Sequence, residues 1–312
     1  MSQAGNPQIS VVIATYNSSQ TLKYAIQSVI NQDFQDFEIW IVGDGCTDNS
    51  AEIVAGFQDA RVYWHNLPVN SGNPAMANNY GCSQAKGQYI AILGHDDLWF
   101  PWHLSRSLNY LRSTKADLVY CMVAYFSPEG FKYIYGPIPH TRTESNFGTP
   151  CSTWLYKKDL DTWQANPYLN LGIDSDFWYR VVKRGKKVKL LESLNVIKFS
   201  SYDWNLYGIP QKKPIQAEFL LKINTNPNEF FHSIMLEAAI AQARFQNEVP
   251  PIVKTMRQAF RKIAYRIILD YGWDTFPLSI IFASYTRFLR RKIRAKRGLK
   301  HPELAVQQPK KI

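Results

Sequence analysis

The sequence predicts an α/β protein with a doubly wound, mostly parallel sheet and a helical C-terminal extension, and two observations carry this expectation. Short apolar runs rich in β-branched residues recur along the first hundred residues, and stretches with helical spacing of apolar residues separate them. Strands that alternate with helices across short turns pair in parallel, because each helix returns the chain to the same end of the sheet. Beyond residue 208 the pattern becomes helical, so we expect one unit over residues 1–208 and a second over residues 209–312.

The apolar periodicity places each element in order. In the first hundred residues it predicts strands at 9–14, 37–42, 62–64 and 88–93, and helices at 18–30, 50–57 and 75–85. Farther on it predicts a hairpin over 118–126 and 132–135, a helix at 174–184 and a strand at 187–191. Three helices follow at 229–246, 252–271 and 276–297.

Composition excludes several classes of protein. Hydrophobic residues make up 46% of the chain, which is typical of a globular protein rather than a disordered one. The four cysteines are widely spaced without a CxxC pair, so we expect free thiols in a reducing compartment rather than disulfides or a zinc site. Residues 1–8 carry no secretory signal, which together with the cysteines favours a cytoplasmic location.

The net charge of +11 is concentrated in the tail. Residues 254–312 hold 15 of the 36 Lys and Arg and only three of the 25 acids. The apolar stretch 276–289 is too short to span a membrane, and a basic block follows it directly. We therefore expect residues 276–297 to form a helix that lies on the anionic surface at the inner face of the membrane. The alternative is that the basic residues form a solvated helix end. No nucleic-acid-binding module accompanies the basic run, so we expect no nucleic-acid partner.

Polar clusters follow three of the predicted strands. These clusters are Ala14-Thr15-Tyr16-Asn17, Asp44 with Thr47-Asp48, and His95-Asp96-Asp97. The carboxyl ends of parallel strands meet at one edge of the sheet, where a crevice suits a nucleotide. Neither of the glycine-rich phosphate-binding motifs GxGxxG and GxxxxGK[ST] is present, so a metal on Asp97 is the candidate for neutralising phosphate charge. The alternative role for Asp97 is to cap the N-terminus of the next helix.

Asp174 follows Gly172 at a predicted helix start. A carboxylate in that place can accept a proton from a hydroxyl nucleophile. The competing interpretation is that Asp174 and Asp176 stabilise the first turn of the helix.

These motifs, in this order and spacing, resemble family 2 glycosyltransferases of the GT-A fold over about residues 8–200. The resemblance rests on Ile9–Asn17, Gly43–Asp48, Asn70-Ser71-Gly72 with Asn78, His95–Asp97 and Gly172–Arg180. It implies an inverting enzyme that moves a sugar from a nucleotide-sugar donor, most simply a UDP-sugar, to a hydroxyl of a saccharide or glycolipid acceptor. Residues 1–208 would then form the GT-A catalytic domain.

The resemblance also implies a role for individual positions. Ala14, Thr15 and Tyr16 would line the base and ribose pocket, Asp44 would hydrogen-bond the base, and Asp96 would face the ribose or the sugar. Asn17 and Asn78 would belong to the same donor site. Asp97, with His95 beside it, would bind Mn²⁺ or Mg²⁺ on the diphosphate, and Asp174 would be the general base.

Several positions depart from the family pattern. Gly43 and His95 replace acids, Ala77 replaces an arginine, and residues 198–202 lack the histidine that some members carry there. These departures favour, as the alternative, a non-catalytic relative that binds a nucleotide sugar or a glycan. A nucleotidyltransferase would need a glycine-rich loop with a lysine after the first strand, and a basic membrane scaffold would leave the acidic strand ends without a role.

Overall fold

The computed structural model describes residues 5–127, 129–136, 149–164, 172–199 and 215–248. Its first half alternates β1 (Ile9–Thr15), α1 (Ser19–Ile30), β2 (Phe37–Gly43), α2 (Ser50–Ala55), β3 (Val62–Asn66), α3 (Ala75–Gln84) and β4 (Tyr89–Ile92). Then come β5 (Leu98–Trp99), α4 (His103–Thr114), β6 (Leu118–Ser127), β7 (Gly130–Tyr135), β8 (Trp154–Lys157), α5 (Ile173–Lys183), β9 (Val188–Phe199), α6 (Gln216–Thr225) and α7 (Pro227–Glu248).

The first four strands form the predicted parallel half of the sheet. β1 lies between β2 and β4, β3 lies outside β2, and all three pairings are parallel. Thr15 is level with Gly43, and Val12 is level with Ile92. The carboxyl ends of β1, β2 and β4 therefore lie at the same edge, as the sequence predicts.

The second half of the sheet is mixed. Beyond β4 the strand order is β8, β6, β9 and β5, with β8 antiparallel to both of its neighbours and β9 parallel to β6. Because Ala91 pairs with Leu155 and Tyr89 with Lys157, the start of β8 lies beside the carboxyl end of β4. The 3-10 turn Cys151–Thr153 that precedes β8 is thereby brought to the edge that carries the acidic strand ends.

Apolar residues of the strands are buried on both faces of the sheet. One cluster packs α1 and α4 against the strands, and a second packs α3 and α5 against the opposite face. A third cluster joins Phe219, Leu220 and Ile234 of α6 and α7 to residues of β5, β6 and β9. The described part of the C-terminal region thus shares a core with the sheet, and the division at residue 208 stays a prediction.

The structure confirms the type of each predicted element within the described residues and corrects several bounds. β9 continues to Phe199 rather than ending near 191, because its pairing with β6 resumes after register shifts at Cys121–Val123. The sequence prediction missed β5, α4, β8 and α6. Asp97 does not cap a helix, because β5 follows it and α4 begins only at His103. The predicted helices at 252–271 and 276–297 lie outside the described residues.

Two further observations concern the whole described part. All four cysteines are free thiols, as predicted. None of the helices within the described ranges is long and apolar enough to cross a membrane. The expected membrane-surface helix over 276–297 lies outside these ranges and stays a prediction.

Candidate active site

Asn17 links the carboxyl ends of β1 and β2. Its backbone has a φ of 44°, in the left-handed region that asparagine tolerates better than most residues. Its side-chain oxygen accepts hydrogen bonds from the backbone N–H of Thr47, at 2.8 Å, and of Asp48, at 3.3 Å. Asn17 therefore fixes the loop after β2 against the end of β1.

Asp44 is buried and holds a second loop. Its carboxylate accepts hydrogen bonds from the backbone N–H of Ser71, at 3.0 Å, and of Gly72, at 3.3 Å. The side-chain amide of Asn70 donates a further bond of 3.1 Å. The 70–72 loop is thereby docked on the end of β2, and a contact of Asp44 with a nucleotide base stays a prediction.

The replacement of an acid by Gly43 has a structural counterpart. A Cβ atom at this position would lie 2.9 Å from the ring of Trp64 and closer still to Oδ1 of Asn66. The amide of Asn66 in turn bonds the backbone N–H and C=O of Cys46 at 2.8 and 2.9 Å. Asn66 thus occupies the space that an acidic side chain would need.

The other predicted donor-site residues lie at the ends of β1 and the start of α3. Ala14 and Tyr16 are half-buried, whereas Thr15 and Asn78 are each 2% exposed. Oγ1 of Thr15 and Oδ1 of Asn78 are buried without a hydrogen-bond partner among the described residues. Unpaired buried oxygens are uncommon and costly, so these two atoms mark a place where the described fold leaves polar groups unsatisfied.

Asp97 lies at the centre of the site and is completely buried. Its Oδ2 atom accepts a hydrogen bond of 2.6 Å from the Ser152 hydroxyl. The same atom forms an ion pair with Nζ of Lys198 at 2.8 Å. Ser152 also accepts a bond of 3.0 Å from the backbone N–H of Gly94. Within the described residues, Oδ1 of Asp97 has no partner, and it is shielded from solvent.

Gly94 allows two carboxylates to approach the same short loop. A Cβ atom there would lie 2.8 Å from Oδ2 of Asp97 and 3.2 Å from Oδ1 of Asp96. Asp96 is buried, and its backbone carbonyl accepts a bond of 3.3 Å from the Gln216 side chain of α6. Any larger residue at position 94 would push the acidic side chains out of place.

Asp174 lies in the first turn of α5 and is held from the same turn that holds Asp97. Its Oδ2 atom accepts a bond of 3.1 Å from the backbone N–H of Cys151. Because Cys151 and Ser152 are consecutive, one short turn fixes both carboxylates. The structure therefore brings the predicted general base and the predicted diphosphate-side acid into one unit.

Charge and burial determine the ionisation of this unit. Burial raises the pKa of Asp97 to about 6, against the opposing charge of Lys198. Burial also raises the pKa of Asp174 above its ordinary value, while the N–H of Cys151 and the charge of Lys198 oppose the rise. Burial lowers the pKa of Lys198, but the charges of Asp97 and Asp96 outweigh it and hold that pKa well above its ordinary value. Lys198 is therefore a cation at neutral pH.

The described contacts of Asp97 do not form a closed set of protein ligands for a divalent cation. Mg²⁺ and Mn²⁺ need several oxygen ligands in regular geometry. Oδ2 of Asp97 already contacts an ammonium and a hydroxyl, and Nδ1 of His95 lies 3.1 Å from the carbonyl oxygen of Ala14. In the described ranges no three His, Cys, Asp or Glu side chains are grouped so that they could hold a metal. The metal roles of Asp97 and His95 stay predictions.

Sequence reasoning missed three residues of this site, namely Cys151, Ser152 and Lys198. Ser152 and Lys198 are 55 and 101 residues from Asp97 along the chain, and only the order of the later strands brings them together. Lys198 lies seven residues beyond the end of the predicted strand at 187–191, so the predicted elements did not place it at the site.

Comparison with known proteins gives a consistent result. The sequence profile of glycosyl transferase family 2 matches residues 10–178. An uncharacterised glycosyltransferase of Methanocaldococcus jannaschii is 30% identical over 60% of this chain and 68% of its own length. A UDP-Glc:α-D-GlcNAc-diphosphoundecaprenol β-1,3-glucosyltransferase of Escherichia coli is 26% identical over 58% of this chain and 72% of its own length. The chain spans only about a third to a half of other curated relatives that it matches.

Solved structures share the fold. Residues 1–349 of S. aureus TarS, in complex with UDP-GlcNAc, superpose with a TM-score of 0.54 at 16% identity, over 93% of this chain and 88% of that one. A mannosyltransferase of Pyrobaculum calidifontis, in complex with GDP-Man and Mn²⁺, gives a TM-score of 0.52 at 16% identity, over 91% and 88% of the two chains. The sheet and its flanking helices are thus those of the predicted GT-A fold.

Proposed function

The chain belongs to glycosyl transferase family 2, and we propose that it transfers a sugar from a nucleotide-sugar donor to a hydroxyl group with inversion at the anomeric carbon. The observation that carries the proposal is the pairing of Asp97 and Asp174 through consecutive residues of one turn, Cys151 and Ser152. A transferase needs a fixed spacing between the group that faces the departing diphosphate and the base that faces the acceptor. A short turn that bonds both carboxylates can maintain that spacing.

Asp174 is assigned as the general base. In the proposed reaction the acceptor oxygen attacks the anomeric carbon while the bond from that carbon to the diphosphate oxygen breaks. Asp174 takes the hydroxyl proton, and the electron pair of the broken bond leaves with the nucleoside diphosphate. Attack on the face opposite the leaving group inverts the configuration. No step is assigned to a metal, because the described contacts of Asp97 do not form a closed set of protein ligands for one.

A UDP-sugar is the proposed donor, with Ala14, Thr15, Tyr16 and Asp44 at the nucleotide end. The UDP-GlcNAc complex of TarS and the UDP-Glc specificity named for the E. coli relative support this choice. The Mn²⁺ complex of the Pyrobaculum calidifontis mannosyltransferase supports the expectation of Mn²⁺ or Mg²⁺, and the contacts of Asp97 described above do not.

The proposed acceptor is a hydroxyl of a saccharide or of a lipid-linked sugar. The acceptor named for the E. coli relative is a sugar on diphosphoundecaprenol, which supports a glycolipid. A basic helix over 276–297 at an anionic membrane surface would suit such an acceptor, and it belongs to the same proposal.

Calorimetric titration with UDP, GDP and their sugar conjugates tests the donor site. We expect one nucleotide to bind in preference, and Tyr16→Ala to weaken that binding by about tenfold through the loss of aromatic contact. Tyr133→Ala is the matched control, because Tyr133 on β7 is 49% exposed and is not assigned to the nucleotide pocket.

Transfer is then measured with the preferred UDP-sugar and a diphosphoundecaprenol-linked acceptor, by release of UDP. Acceptor-dependent release supports the proposed reaction. Binding of the nucleotide without release for any acceptor of either class would instead indicate the non-catalytic relative. No binding of any nucleotide by the folded chain would contradict the donor site itself.

A further inference from the structure

Lys198 places a fixed positive charge among the acidic residues of the site. It lies one residue before the end of β9, and its ammonium contacts Oδ2 of the fully buried Asp97 at 2.8 Å. The side chain of Lys198 is 26% exposed, whereas that of Asp97 is 0% exposed. An ammonium carries three N–H donors, and the described contacts use one of them, to Asp97.

Lys198 offsets the negative charge of the carboxylates around it. Its electrostatic influence extends to Asp96, Asp97 and Asp174, which together would repel an anionic ligand. The diphosphate of a nucleotide sugar adds further negative charge at the same edge of the sheet. A cation in this place is therefore required for the donor to bind near these carboxylates.

A divalent ion cannot take that position without displacing Lys198. An ion bound to Oδ2 of Asp97 would lie beside an ammonium and be repelled by it. The other oxygen, Oδ1, is shielded from solvent and has no hydrogen-bond partner within the described residues. Two departures from the family pattern agree with this arrangement, because His95 stands where an acid is expected and residues 198–202 contain no histidine.

We propose that Lys198 takes the place of a divalent cation, binding the diphosphate of the donor and stabilising the departing nucleoside diphosphate by hydrogen bonding. The proposal rests on the proposed function, because it assumes that a nucleotide diphosphate binds at this edge of the sheet. Lys198 acts as a fixed charge and transfers no proton. The donor site then works without Mn²⁺ or Mg²⁺.

The test is calorimetric titration of the full chain with UDP, once in EDTA and once in Mn²⁺. We expect the wild type to bind UDP equally in both buffers. Lys198→Met is expected to bind UDP about ten to a hundredfold more weakly in EDTA, as the loss of a charge-assisted hydrogen bond predicts. Lys198→Arg is expected to keep most of the binding. Lys189→Met is the matched control, since Lys189 is an exposed residue of the same strand.

Asp97→Asn separates the two modes of binding. If a metal on Asp97 held the diphosphate, this substitution would abolish UDP binding. If Lys198 holds it, the substitution keeps metal-free binding, because the ammonium remains. Should Lys198→Met fail to fold with Asp97 unpaired, the double variant Asp97→Asn with Lys198→Met removes both charges, and its metal-free binding should fall below that of Asp97→Asn alone.

Mn²⁺ titrated without nucleotide and followed by electron paramagnetic resonance provides a second readout. We expect no specific Mn²⁺ binding by the wild type. UDP binding by the wild type that is lost in EDTA and restored by Mn²⁺ would overturn this inference and leave the proposed function intact. Wild-type affinity of Lys198→Met in EDTA would do the same. Absence of UDP and GDP binding in both buffers would overturn the proposed function and this inference with it.

Discussion

Two regions at the same edge of the sheet hold buried carboxylates by different means. In the Asp44 region (residues 14–17, 43–48 and 70–72) the carboxylate accepts hydrogen bonds from neutral donors, chiefly backbone N–H groups of the 70–72 loop. In the Asp97 region (residues 94–97, 151–153, 174 and 198) the carboxylate is paired with a cation and a hydroxyl. Asp44 therefore holds a loop in place, whereas Asp97 belongs to a group of charges that a bound anion would change.

The largest effect expected is on turnover in the Asp97 region. Asp174→Asn keeps an oxygen that can accept the N–H of Cys151 but removes the base, so transfer should fall by about 10²–10⁴-fold with little change in nucleotide affinity. The control is Asp159→Asn, an exposed carboxylate near the opposite end of β8. Rates are measured by UDP release. Equal transfer rates for Asp174→Asn and Asp159→Asn would show that Asp174 is not the general base.

The next effect falls on stability in the Asp44 region. Asp44→Ala leaves two backbone N–H groups and the Asn70 amide without their acceptor, so unfolding in urea should require about 2–4 kcal/mol less free energy. Asp36→Ala is the control, because that exposed side chain bonds only Gln8 in the described contacts and should change stability by less than about 0.5 kcal/mol. Similar losses in both variants would contradict a loop-holding role for Asp44.

A smaller loss of stability is expected from the turn that joins the two carboxylates. Ser152→Ala removes the hydroxyl that donates to Asp97 and accepts from Gly94, at an expected cost of about 1–3 kcal/mol in the free energy of unfolding. Ser113→Ala, at an exposed serine that bonds only its own helix, is the control. If Ser152→Ala left the free energy of unfolding unchanged, the turn would not be fixing Asp97.

The smallest effect is a displacement of the pH profile. Burial raises the pKa of Asp174 above 3.8, and a base must be ionised, so kcat/KM should fall as the pH drops through that raised value. The charge of Lys198 opposes the rise, so Lys198→Met should move this acid limb to higher pH and Lys198→Arg should leave it in place. If the acid limb of the kcat/KM profile stayed at the same pH in Lys198→Met, the charge of Lys198 would have no influence on the pKa of Asp174.

The sequence predicted the Asp44 region better than the Asp97 region, for physical reasons. Periodicity alone identifies β1, β2 and β4, and the parallel pairing of β1 with β2 and β4 then fixes where Thr15, Asp44 and Asp97 lie. The partners of Asp44 come from a loop about 27 residues away, within the same run of elements.

The partners of Asp97 could not be found in the same way. Ser152 depends on β8, a four-residue strand that runs antiparallel between β4 and β6 and has no distinctive pattern. Lys198 depends on β9 returning beside β6 after a register shift. Long-range strand order, rather than local propensity, therefore determines the charge at the site. The expected metal at Asp97 rested on the family resemblance, and the ammonium beside Asp97 is what that resemblance could not supply.

A crystal structure of the chain grown with UDP in the absence of divalent cations tests the account most directly. We predict the uracil and ribose at the carboxyl ends of β1 and β2, near Tyr16, and a diphosphate oxygen within hydrogen-bond distance of Nζ of Lys198. We also predict that Asp174 faces open space on the far side of the diphosphate, where a sugar and an acceptor fit. A nucleotide bound elsewhere, or a diphosphate more than one water molecule away from Lys198, would contradict the central claim.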